Sequence, residues 1–272
     1  MSPVVQNSSV YLVDQGSGPP ILLLHGNPDS SDMWSGIVGH LKDQYRCLAP
    51  DLPGFGRSAT PPDFECSLDA MAAYIDDLVT AIGIDEPVIL AVHDFGGPYG
   101  LAWAIKHRSK VMRIVIFNTL FFADYEWHFW ARVWRRPIIG ELSMKVMNRR
   151  MFEREMKKGA VNLSPNRIRE AYALVTPQTK DMILRLYRAT DPAKFNGWES
   201  QLLELTARVP TCVLWGDRDP YIQKKYAERF GAASVRHFPY LGHWPPAEAP
   251  TEISEILLPF LAGEPLPPDP HI

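Results

Sequence analysis

Residues 88–100 read VILAVHDFGGPYG. A run of branched apolar residues stops at a histidine, an aspartate and paired glycines, and a helix-like pattern then begins. This succession of strand, small-residue turn and helix forms an elbow that holds its central residue clear of a sheet. The helix N-terminus behind that residue favours negative charge on it. The elbow pattern G-x-S-x-G appears here as V-x-D-x-G at 92–96, with Asp94 in the central place. Gly96 and Gly97 let the helix approach the strand closely. An aspartate in front of a helix can also be a simple N-cap, so the assignment depends on what the rest of the chain supplies.

The rest of the chain alternates strand with helix. ILLL (21–24), YRCLA (45–49), VILAV (88–92), VMRIVIF (111–117), TCVLW (211–215) and SVRHF (234–238) read as strands. Several are apolar almost throughout, as strands covered on both faces are. Residues 67–82, 97–107, 220–230 and 250–262 carry helical patterns, and 4–13 reads as an edge strand. This alternation predicts an α/β fold, a mostly parallel central sheet flanked by helices. A chain of 272 residues, 46% of them hydrophobic, is ample for one large core of that kind.

One interval breaks the rhythm. From Asn118 to Thr211 the chain is far longer than a single crossover helix needs. Its pattern is helical throughout, with breaks at Pro137, Gly140, Gly159, Pro165, Pro177 and Pro192. It is expected to form a helical cap over the C-terminal edge of the sheet, where open α/β sheets bind ligands. The expected division is a core domain of 1–119 and 209–272 and a cap domain of 120–208. Arg132, Arg135, Arg136, Lys145, Arg149, Arg150, Arg154, Lys157 and Lys158 make the cap basic. With Glu141, Glu153 and Glu155 among them, they read as a solvated helix face.

The formal net charge of -3 gives no reason to expect nucleic acid or an anionic membrane as partner. No window approaches the run of roughly 18 apolar residues that a spanning helix needs. The start, MSPVVQNSSV, lacks the charged and apolar regions of a secretory signal. Cys47, Cys66 and Cys212 lie far apart, without metal-ligand spacing, and read as reduced thiols. A cytoplasmic monomer or homodimer is the expectation.

The chemistry follows from the residue at the elbow. A serine there needs a base to remove its proton, whereas a carboxylate is already ionised at neutral pH. It can attack saturated carbon and become an ester of the enzyme. Water must then cleave that ester, which requires a base and an oxyanion hole. H-G-N-P (25–28) follows an apolar strand, at the place where such folds supply one oxyanion N–H. Gly216-Asp217-Arg218-Asp219 follows TCVLW, and Gly242-His243-Trp244 follows the last strand. The order Asp94, Asp219, His243 is that of nucleophile, acid and histidine in elbow-bearing hydrolases. Asp217 is a rival for the acid. Asp51 reads as a turn residue, and His25 and His93 as parts of loop architecture.

HGNPDSSDMW (25–34), APDLPGFGRS (49–58), VHDFGGP (92–98), WGDRDP (215–220) and GHWPPAEAP (242–250) make the chain resemble the α/β-hydrolases. More narrowly, it resembles the aspartate-nucleophile group of haloalkane dehalogenases and epoxide hydrolases. The similarity runs from about residue 10 to 262, specific in the core and loose in the cap. It implies the α/β-hydrolase fold, with the cap inserted after what that fold counts as strand six. Asp94 would be the nucleophile, His243 the base that activates water, and Asp219 the acid that orients it. The N–H groups of Asn27 and Phe95 would form the oxyanion hole, and the Asn27 side chain would donate to departing halide. The H-G-N-P loop is closer to the dehalogenases. These usually carry a tryptophan donor after the nucleophile, and Phe95 has none. A cap tryptophan, Trp127, Trp130, Trp134 or Trp198, could supply it. Some dehalogenases place the acid after the preceding strand, where this chain has the amide Asn118.

The resemblance therefore implies first a haloalkane dehalogenase-like hydrolase acting on a small apolar organic substrate with water. Epoxide hydrolysis is the alternative, since it needs a proton donor for the alkoxide and Tyr125, Tyr172 and Tyr187 lie in the cap. A non-catalytic or receptor-type homologue is a further alternative. Phe121, Phe122, Trp127, Phe129, Trp130 and Leu174 are candidate cavity walls. No metal and no organic cofactor is implied.

Overall fold

The computed structural model describes residues 2–268. The C-terminal segment GEPLPPDPHI, expected to fray, lies outside the described residues from 269 onward. The N-terminal stretch expected as one edge strand is divided among three short strands. Gln6 and Asn7 both take positive φ, 48° and 60°, the geometry of a two-residue hairpin turn. They join β1 (Val4–Val5) to β2 (Ser8–Ser9), and the edge strand β3 (Leu12–Gln15) follows. The other strands are β4 (Pro20–Leu24), β5 (Arg46–Pro50), β6 (Val88–His93), β7 (Val111–Phe117), β8 (Thr211–Gly216) and β9 (Ser234–Phe238).

Among the described residues the main sheet has seven strands in the order β3-β5-β4-β6-β7-β8-β9. Only β3 runs antiparallel to its neighbour. Side chains alternate across the pleat. On β4, Leu22 and Leu24 enter one core, and Ile21 and Leu23 enter the other. Complete burial of each such side chain stabilises by roughly 1.5–3 kcal/mol. That burial on both faces explains why these strands read as continuous apolar runs.

Helices α2 (Leu68–Ile82) and α3 (Gly96–Lys106) cover one face, and α1 (Ser35–Leu41) and α11 (Pro250–Ala262) the other. In α2 the Ser67 hydroxyl accepts the Ala70 N–H at 3.2 Å, and Gly83 closes the helix with φ 74°. The expected helix over 220–230 is shorter, a 3₁₀ turn at Lys224–Phe230. The Asp219 side chain accepts the N–H groups of Tyr221 and Ile222, at 2.7 and 3.0 Å, and holds the preceding residues in a turn.

Between β7 and β8 come α4 (Phe129–Trp134), α5 (Ile139–Val146), α6 (Arg149–Gly159), α7 (Pro165–Ala173), α8 (Pro177–Ala189) and α9 (Trp198–Thr206). Asn148, Ser164 and Thr176 cap α6, α7 and α8, and prolines open α7 and α8. The expected cap interval 120–208 also contains α9, which packs against α3. The short α10 (Pro245–Glu248) precedes α11.

Strand order turns back between β4 and β6, the place where open α/β sheets leave a crevice at their C-terminal ends. Asp94 leaves β6 there, beside Asn27 from the loop after β4. The elbow is tight: a Cβ on Gly96 would lie 2.3 Å from the Leu24 carbonyl oxygen. Gly96→Ala is therefore expected to destabilise by roughly 1–3 kcal/mol. Gly39→Ala, where nothing lies within 4 Å of the new carbon, is expected to stabilise α1 by roughly 0.5–1 kcal/mol. Urea unfolding of the two variants measures both.

Candidate active site

Asp94 sits in left-handed backbone, φ 47°, a conformation that costs a non-glycine residue of the order of 1–3 kcal/mol. Its N–H donates to the Asn118 carbonyl at 3.1 Å, and its carbonyl accepts the Gly97 N–H at 2.9 Å and the Thr119 hydroxyl at 2.5 Å. The residue at the N-cap position of α3 is Phe95, and no side chain caps that helix. The Asp94 carboxylate is directed elsewhere. Its Oδ1 accepts the Asn27 N–H at 2.6 Å, and its Oδ2 faces His243 Nε2 at 3.6 Å. Burial works against its charge. The His243 hydrogen bond and charge and the Phe95 N–H outweigh burial and hold the carboxyl below its usual range.

His243 follows β9 and is buried. Its Nδ1 lies 2.6 Å from Asp219 Oδ2. Burial would depress this imidazole, but the charge and hydrogen bond of Asp219, with those of Asp94, raise it to about 10. Asp219 Oδ2 also accepts the Asn118 amide at 2.9 Å, while Asn118 braces Gly216 through both its side-chain groups. The amide at the alternative acid position thus supports Asp219. Asp217 faces away and pairs with His237 and Lys224.

His93 Nε2 donates to the His243 carbonyl at 2.7 Å. Burial and the charge of His243 push this histidine down to about 4, so it stays neutral beneath the site. His25 accepts the Leu52 N–H at 2.8 Å, and Asp51 accepts those of Ser31 and Arg57 at 2.6 and 2.7 Å. All three serve the loops around the site.

Above Asp94 lies a largely apolar cavity whose walls include Asn27, Phe95, Trp127, His128, Trp130 and Tyr187. Trp127 stacks on Phe95 with ring centroids 6.2 Å apart, and its buried Nε1–H has no hydrogen-bond partner among the described residues. Tyr187 Oη receives the Asn27 amide at 3.3 Å and meets His128 Nε2 at 3.2 Å. His128 Nδ1 accepts the Ala131 N–H, which leaves the proton on Nε2 to donate to Tyr187. With both acceptor positions of Tyr187 filled, its own hydroxyl proton is free for a ligand. Burial, then the Asp94 charge, raise the Tyr187 phenol well above its ordinary value. Burial lowers His128 to about 4, against the pull of Asp94.

Comparison with known proteins agrees with this frame. The profile of the alpha/beta hydrolase fold matches residues 19–250. The chain belongs to the α/β-hydrolase family. Haloalkane dehalogenase 2 of Mycobacterium tuberculosis is 30% identical over 264 residues, covering 92% of this chain and 90% of that one. A cis-3-alkyl-4-alkyloxetan-2-one decarboxylase of Xanthomonas campestris is 31% identical over 245 residues, covering 81% and 80%. The solved structure of the epoxide hydrolase CorEH superposes with a TM-score of 0.82 at 22% identity, covering 96% and 98% of the two chains.

Not every expected cavity residue of this α/β-hydrolase reaches the cavity. Tyr172 is absent from the walls because its ring packs at 5.3 Å on Phe152. Tyr125 lines the cavity, but its hydroxyl donates to the Tyr221 carbonyl at 3.0 Å. Phe121 and Phe122 pack inward on Phe195 and on Tyr226 and Phe230. Phe129 is 69% exposed, and Leu174 does not line the cavity. Trp130 is a wall residue stacked on Trp134, which lines the cavity too, whereas Trp198 does not. His128, Tyr221 and Glu155 are wall residues that pattern reading missed. His128 stands inside the aromatic run YEWHFW, where helical spacing alone singles out no member.

Asp219→Asn keeps the size of the acid and removes its charge. The His243 imidazole is expected to titrate well below about 10 in that variant, read from the ring-proton shifts by NMR. An unchanged titration would mean that Asp219 is not what sustains the histidine's charge.

Proposed function

We propose that this α/β-hydrolase displaces halide from small apolar alkyl substrates through an ester of Asp94, with 120–208 closing the cavity as its cap. The observation that carries the reading is the division of labour between the two Asp94 oxygens. Oδ1 rests on the Asn27 N–H at 2.6 Å, and Oδ2 faces the cavity, 3.6 Å from His243 Nε2.

Oδ2 attacks the halogen-bearing carbon, the carbon–halogen bond breaks and its electron pair leaves with halide. The unpartnered Trp127 Nε1–H is a donor for that halide and compensates for the lack of one at Phe95. The ester carbonyl oxygen is Oδ1, already seated where the N–H groups of Asn27 and Phe95 stabilise an oxyanion. Ester formation cancels the Asp94 charge, one of the causes that raise His243. The histidine then loses its proton to solvent more readily and becomes the neutral base that hydrolysis requires. It takes a proton from water, the hydroxide adds to the ester carbonyl, and the alkoxide departs with the proton held by His243. The products are alcohol, halide and a proton, and Asp94 is a carboxylate again. The hydrolytic step needs neutral imidazole, so its rate is expected to fall as pH drops below the His243 value in the ester. That value lies below the one in the free enzyme.

A second reading rests on Tyr187. Opening an epoxide leaves an alkoxide, which needs a proton. The Tyr187 hydroxyl offers one, and His128 Nε2–H and the Asn27 amide stand ready to stabilise the resulting phenolate. Aspartate attack and ester hydrolysis are common to both readings.

Brominated alkanes, styrene-type epoxides and a cis-disubstituted oxetan-2-one distinguish the substrates. Halide release by the native enzyme supports the first reading. Diol formation alone moves the assignment to the second, and decarboxylation alone sinks both. Trp127→Phe is expected to lower debromination by roughly 10²-fold and to spare any epoxide opening. Tyr187→Phe is expected to abolish diol formation. In His243→Gln the first step proceeds and the second stops, so intact mass shows an alkyl adduct on the protein. Normal turnover by that variant would remove His243 from its role.

A further inference from the structure

We propose that Glu248 is a positioning residue: it ties the His243 loop to the strap 159–162 of the helical insertion, so that docking of the strap aims the base. The inference rests on the reading of His243 as the base for ester hydrolysis. Glu248 ends α10 and is 8% exposed. Its Oε2 accepts the N–H groups of Val161 at 2.8 Å, Asn162 at 3.2 Å and Gly242 at 3.1 Å, and its Oε1 accepts that of Trp244 at 3.0 Å. Gly242 and Trp244 flank His243. Val161 and Asn162 belong to the segment between α6 and α7. Among the described residues no Lys, Arg or His forms an ion pair with Glu248. The carboxylate is held by backbone N–H groups from two parts of the chain.

A second contact joins the same two parts. The His243 N–H donates to the Gly159 carbonyl at 2.7 Å. The approach is so close that a Cβ on Gly242 would lie 2.0 Å from the Gly159 oxygen. A Cβ on Gly159 would lie 2.5 Å from the Tyr221 ring and 2.8 Å from that of Trp244. Tyr221 in turn donates its backbone N–H to Asp219 and its hydroxyl to the Glu155 carbonyl. The strap therefore bears on both members of the His243–Asp219 pair. The sheet supports His243 from below, through the His93 bond to its carbonyl. Its backbone N–H and both flanking N–H groups are satisfied through the strap or Glu248.

Glu248→Gln keeps shape and volume but turns one oxygen into an NH₂ group facing backbone N–H donors. The two steps of the reaction should respond differently. Alkylation of Asp94 uses the elbow and the cavity, whereas ester hydrolysis needs Nε2 in line with a water. The variant is expected to alkylate within about twofold of the native rate and to hydrolyse the ester roughly 10–100-fold more slowly, the effect of a small misplacement. Single-turnover intact mass with a brominated alkane reads both steps. Hydrogen exchange on the free protein should show 159–162 and 242–244 loosening together.

Gly159→Ala pushes the strap off the Tyr221 and Trp244 rings without touching Glu248, and is expected to reproduce both effects. It decides the matter if Glu248→Gln does not fold. Equal slowing of the two steps, native hydrolysis in both variants, or loosening of only one segment overturns the proposal. If the native enzyme forms no ester with any probe, the Asp94 reading fails, and the exchange measurement alone judges the tie.

Discussion

The contact on which the site depends is the 2.6 Å hydrogen bond from the Asn27 N–H to Asp94 Oδ1. It joins the ends of β4 and β6, neighbours in the sheet although β5 lies between them in sequence. The left-handed backbone of Asp94 turns its side chain up from the sheet instead of back onto α3. The bond then separates two oxygens that are equivalent in a free carboxylate. One is committed to the Asn27 N–H, and the other faces the cavity and His243. Ester chemistry at an enzyme carboxylate needs this asymmetry, because the carbonyl oxygen must rest among donors while its partner carries the alkyl group.

Two carboxylates and an imidazole are buried together here, an arrangement that desolvation opposes. It persists because each charge has a partner and because donors saturate the Asp219 carboxylate. Asp219 receives the N–H groups of Tyr221 and Ile222 and the Asn118 amide besides His243. The consequence is a histidine whose affinity for its proton depends on whether Asp94 is charged. Under the proposed reaction, coupling of this kind would let one residue support attack as a cation and water activation as a neutral base.

The roof follows another logic. The Phe95 side chain offers no donor, and the polar hydrogens on this side of the cavity come from Trp127 and Tyr187, which lie in the helical insertion, and from the Asn27 side chain. Aromatic packing holds the first two in place: Tyr187 meets Phe95 edge-on at 4.9 Å and Trp127 at 5.2 Å. The Tyr187 hydroxyl is oriented by a histidine that itself caps α4. The placing of these polar hydrogens and the fold of the insertion are therefore one problem.

The elbow, the strand segments and the residues that meet at Asp94 were legible in the chain itself, because each depends on local pattern. Apolar runs mark strands buried on both faces, glycines mark where backbone must approach backbone, and Asp94, Asp219 and His243 each follow one of those runs. Local pattern failed where distant segments had to meet. Tyr172 and Tyr187 both stand in helical patterns, yet one ring fills a gap beside Phe152 and the other roofs the cavity. The turn at Gln6 and Asn7 and the shortened helix at 224–230 were likewise hidden, because side-chain bonds and positive φ override a smooth hydrophobic pattern. Glu248 was in plain view within GHWPPAEAP, but its four donors come from residues 161, 162, 242 and 244. Sequence alone determined the chemistry available at the elbow, since a carboxylate there is a property of one residue. Only tertiary structure decided which donors and which strap face it, since a helix places its side chains by packing against partners that its own periodicity does not name.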